Sequence, residues 1–174
     1  MILYKNKYRI ESARLKDWDY SRYGYYFVTI CIKDKHCFFG NIMDNKMQLS
    51  EIGEIVAEEW QNTERVRDNV KLDEWVIMPN HLHGIIIIEN DEETHSVRLY
   101  RKDNLSNVIR GFKSATIRNV HKRGFKDFVW QSRFYDHIIR NEQELHDIRE
   151  YIVNNPSKWQ FDEENIENIS RDTK

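Results

Sequence analysis

Trp75-Val-Ile-Met-Pro-Asn-His81-Leu-His83-Gly-Ile-Ile-Ile-Ile88 is the stretch that decides how this chain folds. Pro79-Asn80 is a turn-forming pair between two short apolar runs. Both runs are rich in β-branched residues, and each reads as a strand. Side chains on a strand alternate between its faces. His81 and His83 therefore point one way and Leu82 the other. Two imidazoles side by side on a rigid strand can chelate one metal ion. Ile85 to Ile88 is apolar on both faces, as expected of a strand at the centre of a sheet. Ligands carried by such a strand are held better than ligands on a loop. Two histidines at a strand start are, by themselves, usually no more than that. The rest of the chain has to supply the other half of a site.

Upstream of this stretch, Tyr25 to Ile32 reads as a strand. Residues 37 to 43 and 46 to 49 form a hairpin about a turn at Asp44-Asn45. Ser50 caps a helix that runs to about Arg67, with Ile52, Ile55, Val56, Trp60 and Thr63 along one stripe and an acidic outer face. Downstream, residues 89 to 96 are an acidic loop. A second helix spans Leu105 to Arg123, capped by Asn104 or Ser106 and closed by Gly124. Arg133 to Ile139 is a further strand. Asn141 caps a third helix, residues 142 to 154, which Pro156 ends. A hairpin and strands in this order give an α+β fold. It is an antiparallel sheet with helices packed mainly on one face, which leaves the other face for a site. The expectation is a single domain over 1–174, with 1–24 an N-terminal arm and 160–174 a flexible acidic tail.

The net charge of −2 gives no argument for a nucleic-acid partner. Its distribution does. Residues 98 to 126 carry nine Lys or Arg and one acid, which makes a usable phosphate footprint. Arg110, Lys113, Arg118 and Lys122 project away from the apolar stripe of the second helix and are candidate DNA contacts. Arg14 and Lys16 are two more, set among aromatic rings in the N-terminal arm. A solvated helix face is the competing account of such charge. No apolar run reaches the roughly 18 residues of a membrane span. Residues 1 to 8 lack an apolar segment of signal-peptide length. Cys31 and Cys37 are the only cysteines and are expected as buried, reduced thiols, which fits a cytoplasmic protein. A zinc site from Cys31, His36 and Cys37 is conceivable, but no second cysteine pair supports it.

The string Met78-Pro-Asn-His-Leu-His-Gly84 resembles the single-tyrosine HUH transposases, in which a tyrosine attacks a phosphate to make a covalent intermediate. Two tyrosines are candidates. Tyr135 shares a strand face with His137. Tyr151 lies on the third helix with Asn155 one turn on and on the same face, where its amide oxygen can complete a metal's ligands. The resemblance extends to Gly24-Tyr-Tyr-Phe-Val-Thr29, Gly111-Phe-Lys-Ser114, Trp130-Gln-Ser-Arg-Phe-Tyr-Asp-His-Ile-Ile-Arg-Asn141 and Tyr151-Ile-Val-Asn-Asn-Pro156. In this order and spacing the chain is similar to the REP-associated tyrosine transposases.

That resemblance implies a ferredoxin- or RRM-like HUH nuclease fold. It implies His81 and His83 as metal ligands, Tyr151 as nucleophile, and Asn155 in a third ligand place that is glutamine in insertion-sequence relatives. His137 and Arg140 match a recurrent His-x-x-Arg of the family as active-site support. The implied cofactor is Mg²⁺ or Mn²⁺, and a pair of imidazoles suits Mn²⁺ better. The implied partner is single-stranded DNA beside a hairpin, cut and rejoined through a 5′-phosphotyrosine link by a monomer or homodimer. Two other readings are a domesticated hairpin-DNA-binding protein without turnover and a hydrolase that uses water at the histidine pair.

Overall fold

The computed structural model describes residues 19–89, 104–165 and 168. Arg14, Lys16, the acidic loop beyond Glu89, and Arg98, Arg101 and Lys102 lie outside the described residues.

The expected central strand is central. β5 (His81–Ile88) pairs with β1 (Gly24–Cys31) on one side and β4 (Val70–Ile77) on the other, and β6 (Tyr135–Ile139) joins the far edge of β1. The order is β4-β5-β1-β6 and each neighbouring pair is antiparallel. Between β1 and β4 the chain forms the separate ribbon β2 (Gly40–Met43) and β3 (Lys46–Leu49) and then helix α1 (Glu51–Arg65). α2 (Leu105–Lys122) follows β5 and α3 (Glu142–Asn154) follows β6. Apart from the ribbon and the added α3 this is the β-α-β-β-α-β arrangement of a ferredoxin-like fold.

Local chemistry sets these boundaries. Asp44 and Asn45 both take positive φ, 50° and 59°, the pair of angles that a tight hairpin turn of matching twist requires. Ser50, Asn104 and Asn141 each accept a bond from a backbone N–H three residues on, at 3.1, 3.0 and 2.9 Å. Each such cap contributes about 1 kcal/mol. Asn104, not Ser106, therefore opens α2. β6 starts at Tyr135 rather than Arg133, because the Lys113 ammonium takes the carbonyls of Gln131 and Arg133, at 2.7 and 3.0 Å. The Arg133 carbonyl is thus turned to α2 instead of a neighbouring strand.

The sheet separates two cores. On one face Tyr26, Val28 and Ile30 of β1 and Leu82 and Ile86 of β5 lie under α1 and α2, where Trp60 and Phe112 meet edge to face at 5.1 Å. Gly84 allows that approach. A Cβ there would stand 2.6 Å from Trp60 Cζ2 and 3.1 Å from Trp75 Cβ. On the other face Phe27, Ile85 and Ile139 pack with Leu145 and Ile152 of α3. Two side-chain ties fix α3. Arg149 grips Asp73 through both carboxylate oxygens, with Nε–Oδ1 at 2.9 Å. Asp73 stands where β4 breaks register between Leu72 and Trp75, so the irregularity aims it at the helix. Glu144 accepts from the backbone N–H of Arg140 at 2.7 Å and lies 2.6 Å from His137 Nε2.

Two sequence expectations change. Cys37 is exposed, in the loop before β2; Cys31 is buried, and burial pushes its thiol up to about 12. Neither cysteine belongs to a metal-type cluster among the described residues. The start of the supposed loose tail is also ordered. A 3₁₀ turn, Pro156–Phe161, carries the chain back over β5. There Asn80 Nδ2 donates to Glu164 O at 2.8 Å, and Lys35 Nζ reaches Glu163 O and Glu164 Oε2, both at 3.1 Å. Backbone bonds of this kind, which the acidic composition does not reveal, hold the segment. Among the described residues no helix is long and apolar enough to cross a membrane.

Candidate metal and nucleophile site

Register places the pair. His83 lies opposite Thr29 and His81 opposite Cys31, both inside the sheet and on the α3 face. Each ring is oriented by a bond at Nδ1. Asn80 spends its amide N–H groups on the carbonyls of Lys35, at 3.0 Å, and Glu164, so its Oδ1 faces His81 Nδ1 at 2.9 Å. An amide oxygen only accepts, so His81 carries its proton on Nδ1 and keeps the Nε2 lone pair free. His83 Nδ1 is 2.8 Å from Thr29 Oγ1, and the ring stacks on Phe27 at 5.5 Å. The two Nε2 atoms converge to 3.0 Å. Both rings are all but fully buried. Burial pushes the His83 pKa down to about 3, and burial, followed by the charges of His83 and Lys35, holds His81 well below the usual range. Both imidazoles are therefore neutral at pH 7, the form that ligates metals.

Oxygen donors adjoin this pair. Asp162 Oδ2 is 3.8 Å from His81 Nε2, and His81, His83 and Asp162 form a group able to hold a metal ion. Asn155 is buried, and its Oδ1 has no hydrogen-bond partner among the described residues. Such an orphaned oxygen is costly unless something binds it. Converging Nε2 atoms, oriented Nδ1 atoms and an unmatched buried amide oxygen suit a divalent ion. Asp162, Thr29 and Asn80 were not singled out from sequence. Thr29 and Asn80 had a signal: one is found by strand alternation in β1, the other by adjacency to His81. Asp162 had none, since only the folded-back chain brings it near.

Tyr151 reaches the same point from α3. Its hydroxyl is 3.4 Å from His83 Nε2, the rings meet at 5.3 Å, and the side chain stays half exposed. Burial raises its pKa, the nearby Asn155 amide opposes that rise, and the acids from Asp162 to Glu164 add to it. One chain thus brings its own tyrosine to its own histidines. Tyr135 shares the face but meets Phe27 at 6.4 Å, edge to face. His137 is tied to Glu144, so with the Arg140 backbone it fastens β6 to α3. Arg110, Arg118 and Lys122 are exposed, on a helix that packs behind the sheet rather than on the site face. Lys113 is no free surface cation. Its ammonium is committed to two carbonyls and lies 5.9 Å from the Phe134 ring centre, and burial draws its pKa down to about 8.

No protein-family model matches the chain. It is 40% identical over 163 residues to a Haemophilus influenzae protein described only as uncharacterized, covering 87% of this chain and 91% of that one. A second H. influenzae protein, provisionally named a REP-associated tyrosine transposase, is 25% identical over 144 residues, covering 80% of this chain and 74% of that one. The REP-associated tyrosine transposase of Escherichia coli K12 is 27% identical over 88 residues, 51% of this chain and 45% of that protein. Among solved structures, a REP-associated tyrosine transposase bound to a REP hairpin superposes with a TM-score of 0.60 at 22% identity. That match covers 85% of this chain and 74% of the other, and shows the shared fold. The chain is thus similar in sequence to proteins named REP-associated tyrosine transposases and shares the fold of one of them.

Proposed function

We propose that this protein is a metal-dependent DNA strand transferase that cuts and rejoins single-stranded DNA beside a hairpin. The observation that carries the reading is the approach of the Tyr151 hydroxyl to 3.4 Å from His83 Nε2, within one chain. His81 and His83 would hold a divalent cation, Mg²⁺ or Mn²⁺, with Asn155 Oδ1 and Asp162 Oδ2 at hand, and the cation supplies Lewis-acid polarisation of a non-bridging phosphate oxygen. Tyr151 Oη attacks phosphorus in line. The Oη–P bond forms, the P–O3′ bond breaks, and the leaving oxygen takes up a proton as a free 3′-hydroxyl. A raised phenol pKa keeps Tyr151 protonated before attack, so its proton departs as the bond forms. The Asn155 amide beside it favours the phenolate. In the reverse direction a 3′-hydroxyl displaces the tyrosine, and the link conserves the phosphodiester for rejoining. The test is an end-labelled hairpin with a single-stranded flank, incubated with Mn²⁺ and run on a denaturing gel. A covalent protein–DNA species is expected. Binding without an adduct would favour a hairpin-binding protein, and cutting without an adduct a hydrolase.

The oxygen donors give a quantitative expectation. Asn155→Ala should weaken apparent Mn²⁺ affinity about 10-fold or more, with adduct formation rescued at higher Mn²⁺. Asp162→Asn tests the other oxygen in the same calorimetric titration. A titration curve unchanged from wild type removes that residue from the ligand set.

Because α2 packs behind the sheet, the reading assigns Arg110, Arg118 and Lys122 to the phosphates of the hairpin stem rather than to the strand being cut. Each lost contact should reduce the slope of log affinity against log salt by about one unit. Arg118→Ala is the probe, by fluorescence anisotropy on hairpin DNA across a salt series. An unchanged slope makes this helix a solvated face.

A further inference from the structure

We propose that Tyr135 is the stacking platform for an unpaired base next to the scissile phosphate. This rests on the reading above that single-stranded DNA occupies the site. Tyr135 opens β6 opposite Thr29, whose hydroxyl orients His83, so it stands one strand over from the metal-binding pair. Tyr135 is 50% exposed, whereas Phe27, Ile85 and Ile139 on the same sheet face are packed under α3. The ring is nonetheless positioned. Phe27 meets it edge to face at 6.4 Å, and the same Phe27 stacks on His83 at 5.5 Å and meets Tyr151 edge-on at 6.0 Å. Phe27 is therefore a hub that fixes the exposed ring relative to the nucleophile and the histidines. The residues before Tyr135 are also pinned, because Lys113 holds the carbonyls of Gln131 and Arg133.

An exposed aromatic held rigidly beside a phosphate-handling group suits a nucleobase. Every base has a π face, so stacking fixes a strand without reading its sequence. It is the Tyr151 hydroxyl that lies at His83 Nε2, while the Tyr135 ring meets Phe27, so the proposal gives Tyr135 no part in the bond-making step. Its contribution is to hold the flanking nucleotide so that the adjoining phosphate lies in line with Tyr151.

The experiment measures binding in EDTA, where no turnover occurs, so that its result is independent of cleavage. A fluorescent hairpin with a single-stranded flank is compared with probes carrying one abasic nucleotide at successive flank positions. Tyr135→Ala is expected to weaken binding of the intact probe about 10-fold, and Tyr135→Phe, which keeps the ring, to bind like wild type. At one flank position the abasic probe should reproduce that loss with wild-type protein, and Tyr135→Ala should lose nothing further on it. Wild-type affinity in Tyr135→Ala overturns the proposal. So does an equal loss on every abasic probe, or a loss in Tyr135→Phe equal to that in Tyr135→Ala. Wild-type protein that shows the stacking pattern but forms no adduct with Mn²⁺ supports the platform and defeats the strand-transfer reading alone.

Discussion

His83→Ala is expected to lower the rate of adduct formation by about 10³-fold or more in Mn²⁺, with hairpin binding retained. The geometry explains the size. His83 Nε2 is one of two converging ring nitrogens, and its loss takes away half of the nitrogen set that would fix the cation. Lewis-acid stabilisation of transition-state charge is worth several kcal/mol, and about 1.4 kcal/mol is a factor of ten. The same substitution carries an acid-stability signature. The folded pKa is about 3 and the ordinary histidine value 6.5, so between them the unfolded chain binds the extra proton. Wild-type stability without metal should fall as pH drops from about 6.5 toward 3, and His83→Ala should flatten that fall. His81→Ala should behave alike in cleavage, since Asn80 prepares its Nε2 in the same way. Single-turnover adduct gels and urea melts across pH check both parts. A variant that forms adduct at the wild-type rate with metal present defeats the metal-site reading.

The histidine pair was legible because strand alternation is a strict geometric rule. Once Pro79-Asn80 is read as a turn, His81 and His83 must share a face. The caps Ser50 and Asn141 were legible for a similar reason, each resting on a side-chain oxygen three residues from the N–H it takes, whereas the choice of Asn104 over Ser106 needed the structure. What depends on distant partners was not legible. The α2 periodicity shows which residues avoid its apolar stripe, but not that the helix packs behind the sheet, nor that Lys113 folds onto the carbonyls of Gln131 and Arg133. The acidic stretch after Phe161 reads as solvated tail on composition. It is held by backbone carbonyls meeting Asn80 and Lys35, residues more than 80 positions away, and that contact carries Asp162 to His81. His137 was expected as active-site support, and the sequence did not show that Glu144 on the next helix would bond to it. In each case the residue type was readable and its partner was not.

Tyr151→Phe is expected to abolish the covalent adduct while leaving the fold and DNA binding intact, and Tyr135→Phe to form it. Both tyrosines present a phenol on the site face, so residue type does not choose between them. Position does. The Tyr151 hydroxyl lies 3.4 Å from His83 Nε2 and its ring 5.3 Å from the imidazole, whereas the ring that Tyr135 meets is Phe27, at 6.4 Å. Phosphate bound to a cation at the histidine nitrogens would thus be within reach of Oη of Tyr151. The phenylalanine variant removes one half-exposed oxygen and keeps the ring that packs against Phe27, so its stability should stay within about 0.5 kcal/mol of wild type. The helix that carries Tyr151 is anchored independently of the hydroxyl, by Arg149 on Asp73 and by the fully buried Ile152. Loss of adduct in this variant would therefore report chemistry and not a displaced helix. Peptide mapping of the wild-type adduct should place the nucleotide within residues 150 to 158. An adduct that survives Tyr151→Phe and disappears in Tyr135→Phe would transfer the nucleophile to β6. It would also end the stacking role proposed for Tyr135, since one phenol cannot both attack phosphorus and lie flat beneath the neighbouring base.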